Sequence, residues 1–207
     1  MNQKNSLGLD SCFVDLDDPL ELFKIWMSEA EKKEINDPNA LSLATTNSNN
    51  EPSVRMVLLK ELSQKGFVFY TNLNSPKSND IKKNPKAEMC FHWKSIQKQV
   101  RIFGKITQVS DKEADDYFNS RPYESRIGAW ASDQSNVMKE RTDLLKKIEI
   151  FKRKYPTEKS VPRPKHWSGW CLNPMAIEFW LKLEYRIHER LRYNKVSNGW
   201  KKEILYP

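Results

Sequence analysis

Val54-Arg55-Met56-Val57-Leu58-Leu59-Lys60 and, shortly after it, Gly66-Phe67-Val68-Phe69-Tyr70-Thr71-Asn72 are short apolar runs on either side of a polar turn. Each is too short for a stable helix and rich in β-branched and aromatic residues, so each reads as a strand. Working outward, 40–46 alternates in polarity, and the Asn- and Ser-rich 47–52 supplies turn chemistry for a hairpin into the Val54 strand. Segments 87–93 and 97–109 add two more strands, again through short connections. Short links disfavour βαβ crossovers and argue for a meandering antiparallel sheet closed into a barrel. Further on, 176–182 is apolar and aromatic and reads as a buried strand. A last strand over 199–205 is turned back by Ser197-Asn198-Gly199.

Helices flank this mainly β pattern. Asp18-Pro19-Leu20-Glu21 is a helix start with an Asp cap, Pro in the first turn and Glu at the capping-box position; Leu22, Phe23, Trp26, Met27 and Ala30 follow at helical spacing. Ser75-Pro76-Lys77 opens a second helix, ending near Asn84 before Pro85. A helix start of this kind offers free N–H groups to a phosphate, though it also serves as an ordinary connector. Ser110-Asp111-Lys112-Glu113 is a capping box for a third helix to about Ser120, with Tyr117 and Arg121 one turn apart. Segments 121–126 and 130–135 read as loops dense in hydrogen-bond donors. A long amphipathic helix is expected over 136–154 and a proline-rich extended segment over 157–166. Residues 1–17 read as a flexible arm, and 18–207 as one domain.

The 207 residues carry a formal net charge of +8, which favours anionic partners. The cations are mixed with acids along the chain, and no basic stripe with interleaved aromatics points to nucleic acid. Cys12, Cys90 and Cys171 are odd in number and widely separated; with His92, His166 and His188 they show no metal-ligand spacing. No apolar run is long enough to span a membrane and no signal peptide is evident, so a cytoplasmic protein is expected.

Glu184-Tyr185-Arg186-Ile187-His188-Glu189-Arg190-Leu191-Arg192-Tyr193 reads as one more strand. Its alternation puts Arg186, His188, Arg190 and Arg192 on one face. Three or more cationic donors on a face suit a phosphate or carboxylate. The competing reading is a solvated edge strand whose charges prevent aggregation.

Seven segments in order resemble the pyridoxine (pyridoxamine) 5′-phosphate oxidase family: Arg55–Lys60, Phe69–Asn72, Ser120–Pro122, Gly128–Trp130, Gln134–Ser135, Ile177–Trp180 and Arg186–Arg190. The resemblance runs from about Asp18 to Pro207. It implies an FMN-binding split β-barrel, a homodimer with FMN in clefts at the subunit interface, and oxidation of pyridoxine 5′-phosphate or pyridoxamine 5′-phosphate to pyridoxal 5′-phosphate. O2 would be the acceptor and hydrogen peroxide the by-product. Carried over position by position, Arg55, Lys60, Tyr70, Thr71, Lys77, Gln99, Gln134, Ser135, Trp180 and Arg190 would contact FMN. Lys60, Tyr117, Arg121 and Ser125 would grip the substrate phosphate; Arg186 and His188 would lie over its pyridine ring as the catalytic pair. Arg55 and Lys60 are an odd number of positions apart, so one ligand reaches both only if the strand bends or ends between them. The sequence departs from the family at Pro76, where an Arg is usual, and at Leu181-Lys182, where Gln-Gly is common. Residues 1–17 also lack the Arg and Tyr of the arm that covers the substrate in some members. These departures leave open a split-barrel flavoenzyme with another substrate, or a non-catalytic flavin or pyridoxal phosphate carrier.

Overall fold

Asp18 caps the first helix, α1 (Pro19–Lys33), its carboxylate accepting the Leu20 N–H at 2.9 Å. The computed structural model describes residues 13–207. Most of the apolar stripe of α1 is inside: Leu22, Phe23, Trp26 and Ala30 are at most 1% exposed, and Met27 is half-buried at its edge. Phe23 meets Phe67 and Phe91 edge-on at 4.9 and 5.1 Å, and Trp26 meets Phe179 at 5.1 Å. The arm expected over 1–17 is corrected at its end. Phe13 is buried against Trp26, Tyr193 donates its hydroxyl to the Leu16 carbonyl at 2.9 Å, and Lys202 pairs with Asp15 and Asp17. Residues 1–12 lie outside the described residues.

Around α1 curls one antiparallel sheet of nine strands: β1 (Ala40–Thr46), β2 (Pro52–Leu58), β3 (Glu61–Ser63), β4 (Gly66–Asn72), β5 (Lys86–Trp93), β6 (Lys98–Gln108), β7 (Trp167–Leu181), β8 (Glu189–Val196) and β9 (Gly199–Ile204). The order is β2-β1-β5-β6-β7-β4-β3, with β8 on β7 and β9 on β8. The sheet forks at β7. One edge of β7 pairs with β6; the other pairs first with β4, from Trp167 to Leu172, and then with β8, from Ala176 to Leu181. A register shift lies between, where Phe103 faces Ala176 and Gly104 faces Pro174. The backbones crowd there: a Cβ on Gly104 would stand 2.1 Å from the Asn173 carbonyl oxygen.

Four further helices lie outside the sheet: α2 (Pro76–Lys83), α3 (Asp111–Asn119), α4 (Tyr123–Ala131) and α5 (Arg141–Lys154). The α3 capping box forms as expected. α4 replaces the loops expected on either side of Gly128; Ile127 and Ala131, one turn apart, are each 1% exposed, and that burial outweighs the polar composition. α5 starts at Arg141 rather than 136, leaving Val137 exposed. A satellite core of Phe118, Ile127, Val161 and Trp167 joins α3, α4 and the start of β7.

Three strand readings change. The strand expected over Val54–Lys60 spans Pro52–Leu58. β7 begins at Trp167 rather than 176, because Gly169 and Pro174, ordinary breakers, sit at a close approach to Tyr70 and at the register shift. The strand expected over Glu184–Tyr193 begins only at Glu189. Glu184–Arg186 is a 3₁₀ turn in which Tyr185 (φ 54°) and Arg186 (φ 62°) are left-handed, which takes Arg186 out of the ladder.

Candidate functional site

β2 ends at Leu58, so strand alternation does not extend to Lys60, and that side chain turns into a cleft of about 420 Å³. The same cleft is lined by Tyr70 and Thr71 of β4, Lys77 of α2, Tyr117 of α3, Arg121, Ser125 of α4 and Gln134. Eight of the residues singled out in the sequence therefore converge. Its cations are Lys60, Lys77 and Arg121, and no carboxylate lines it.

Lys77 is only 8% exposed, and its Nζ donates to Thr71 Oγ1 and Ser75 Oγ, both at 3.1 Å. Burial, and then the nearby Arg55 guanidinium, push this amine below its usual range. Arg55 does not line the cleft. It lies across the β1–β2 hairpin, donating to the Leu43 carbonyl at 3.1 Å, to Thr45 Oγ1 at 2.7 Å and to Ser53 Oγ. Thr45 in turn donates to Asp80 at 2.7 Å. On the other side, Arg121 is half-buried with its Nη1 shielded from solvent and without a hydrogen-bond partner. Burial lowers its pKa, with Arg126 adding like-charge repulsion.

A second group lies elsewhere. Gln99 of β6 pairs with Trp180 of β7, and Trp180 with Arg190 of β8, so the three form one rung of the sheet. The His188 ring stands 4.7 Å from that of Trp180, and its Nδ1 accepts the Leu183 N–H at 3.2 Å. Arg190 holds Glu178 at 2.8 Å and the Tyr206 carbonyl at 3.0 Å. Arg186 is exposed in the adjoining turn. Ser135, left-handed at φ 69°, borders a separate hollow between 131–139 and α5.

Trp167 was not singled out in the sequence. Its ring stacks on Tyr70 at 5.3 Å and 9°, and lies parallel to Tyr117 at 6.1 Å and 6°. Only recognition of the whole length of β7 could have pointed to it. Among the described residues no group of His, Cys, Asp and Glu could hold a metal ion, and no helix is long and apolar enough to cross a membrane.

Residues 27–152 match the family described as pyridoxamine 5′-phosphate oxidase. The chain belongs to that family. The pyridoxine 5′-phosphate oxidase C-terminal dimerisation region matches 167–207, which spans β7 to β9 and holds Trp180, Arg186, His188 and Arg190. A Pelagibacter ubique protein named pyridoxine/pyridoxamine 5′-phosphate oxidase is 62% identical over 208 residues and covers all of both chains. A protein of the same name from Allorhizobium ampelinum is 48% identical over 94% of this chain and 95% of its own. Among solved structures, PhzG from Burkholderia lata, in complex with tetrahydrophenazine-1-carboxylic acid, superposes with a TM-score of 0.89. It is 26% identical and covers 99% of this chain and 100% of its own. An FMN binding protein from Nostoc punctiforme, related to pyridoxamine 5′-phosphate oxidase, shares the fold at 18% identity and a TM-score of 0.73, over 91% of this chain and 98% of its own. The forked, curled sheet is thus the split barrel of this oxidase family.

Proposed function

We propose that this chain is an FMN-dependent oxidase that converts pyridoxine 5′-phosphate and pyridoxamine 5′-phosphate to pyridoxal 5′-phosphate, with O2 as acceptor and hydrogen peroxide as product. The observation that carries the reading is the cleft: three cations, hydroxyl and amide donors, no carboxylate, and an unpartnered guanidinium nitrogen on Arg121. Such a lining is costly without an anion and well matched to phosphate. The three cations of the cleft would be shared between two phosphorylated molecules. Lys77, with Arg55 beside it and only hydroxyls as partners, fits the phosphate of FMN. Lys60, Tyr117, Arg121 and Ser125 fit that of the substrate. Gln134 would add a polar contact to the flavin.

FMN held by these residues would supply the redox chemistry, taking a hydride from the substrate's 4′ carbon and returning the two electrons to O2, which with the substrate's proton leaves as hydrogen peroxide; the amine substrate also takes up water and releases ammonia. The chain's own part is orientation and charge. His188, whose Nδ1 accepts the Leu183 N–H, would use Nε2 for its hydrogen bond to the reacting group. Arg186, exposed beside it, supplies a fixed positive charge over the pyridine ring.

The rung of Gln99, Trp180 and Arg190 would complete the flavin site from a second copy of the chain. Trp167 lines the cleft, and Trp180 lies thirteen residues further along β7. At about 3.3 Å per residue that is up to ~40 Å of strand. Dimerisation through 167–207 would bring one copy's rung to the other copy's cleft, so each homodimer would hold two shared sites.

The test is the visible spectrum of the protein supplied with FMN, before and after anaerobic addition of pyridoxine 5′-phosphate. A flavin band that bleaches and returns with air is expected. A band that persists with both phosphorylated vitamers rules out the oxidase, and no bound flavin rules out the cofactor. Arg186→Leu should keep the yellow colour and lose most turnover.

A further inference from the structure

Arg121 is held in an unusual way. Among the described residues no carboxylate pairs with it and no side-chain hydrogen bond reaches it, yet one of its nitrogens is fully shielded. What it touches are ring faces: its Cζ lies 4.8 Å from the Trp167 ring centroid and 5.8 Å from that of Phe118. An aromatic face attracts a guanidinium without using any of its N–H groups, whereas a carboxylate would occupy the fork and repel an incoming anion.

The Trp167 ring is itself fixed. It is 6% exposed and lies parallel to Tyr70 and Tyr117. Its carbonyl accepts Arg163 Nη1 at 2.9 Å, and Arg163 holds Asp111 at 2.8 Å and Asp115 at 2.6 Å on α3, the helix that carries Tyr117. The buried Arg126, which crowds Arg121 electrostatically, is tied off by Glu158 at 2.6 Å.

We propose that Trp167 is a positioning residue for substrate recognition: its indole face sets the plane of the Arg121 guanidinium and leaves the N–H groups free for the substrate phosphate. Arg163 locks that face to α3. The inference rests on the functional reading above and adds the element that gives the cleft its preference for phosphorylated over unphosphorylated substrate.

The experiment is steady-state kinetics of the FMN-loaded enzyme with pyridoxine 5′-phosphate and with pyridoxine. Trp167→Leu should raise KM for the phosphorylated substrate about tenfold, as expected for loss of a desolvated cation–π contact, with kcat within about twofold. The preference for phosphate should fall by the same factor, and Trp167→Phe should restore most of it. In an Arg121→Ala background Trp167→Leu should cost nothing further. An unchanged KM, equal losses for both substrates, or a full additional loss in the Arg121→Ala background would overturn the proposal. Should Trp167→Leu fail to fold, tryptophans of graded fluorination at position 167 keep the shape and weaken the π face. A stepwise rise in KM for the phosphorylated substrate supports the proposal, and a flat series overturns it. A wild-type enzyme inert toward both phosphorylated vitamers would overturn the functional reading and this inference with it; a working enzyme indifferent to position 167 would overturn the inference alone.

Discussion

Lys77 shows how a single residue carries the cost of a site. Its amine is buried among hydroxyls with another cation close by, so the chain itself compensates its charge poorly. Its folded pKa lies below the ordinary 10.5. Below that folded value both folded and unfolded chains hold the proton and the penalty is complete. Between there and 10.5 the folded chain releases its proton first, so the apoprotein's stability rises with pH across this window. A phosphate reverses the preference by favouring the protonated amine, so FMN affinity should fall over the same window. Lys77→Met should therefore leave the apoprotein at least as stable near neutral pH, with the difference from wild type shrinking as pH rises in thermal melts. The same variant should lose about ten- to a hundredfold in FMN affinity by fluorescence titration, the worth of a charge-assisted hydrogen bond. An equal affinity would remove Lys77 from the cofactor site.

Among the elements, β7 sets the fold and α1 fills it. The close approach at Gly104 lets the register shift occur while β6 stays paired along both parts of β7. Gly104→Ala should destabilise by about 1–3 kcal/mol in chemical denaturation, since the obstruction is backbone and cannot rotate away. A neutral result would mean that the two strands slide apart without cost. The strands from β1 to β6 were legible because each is an apolar or alternating run bounded by turn residues; the exception, β3, is only three residues long. The caps of α1 and α3 were legible because capping is local chemistry. α4 and the first part of β7 were not. Ile127, Ala131 and Trp167 take their meaning from one another across the satellite core, and no local pattern contains that partnership. Arg186 was misplaced for a related reason: alternation at Tyr185 and Ile187 mimicked a strand, although both side chains are exposed and the backbone at Tyr185 and Arg186 is left-handed. Of the site, the residue types were readable through the family resemblance, but their division into a cleft and a distant rung was not.

For the whole molecule, that division makes a sharp prediction. If each site joins the cleft of one copy to the rung and turn of the other, Lys77→Met and Arg186→Leu damage opposite halves. Mixed by subunit exchange at an FMN concentration that loads wild type but not the Lys77→Met homodimer, two nearly inactive homodimers should regain about a quarter of wild-type activity, since half the dimers are then mixed and each has one intact site. No recovery after verified exchange would place both halves of the site within one subunit. Long β7 has a further consequence, visible in amide hydrogen exchange. Neighbouring strands flank it on both edges from Trp170 to Leu172, between β4 and β6, and from Ala176 to Leu181, between β8 and β6. Its amides should exchange only through global opening, at the slowest rate in the molecule. Trp167 and Trp180 ride on that one strand, so no partly opened form keeps one half of the site while losing the other: thermal inactivation and loss of the barrel should follow a single time course.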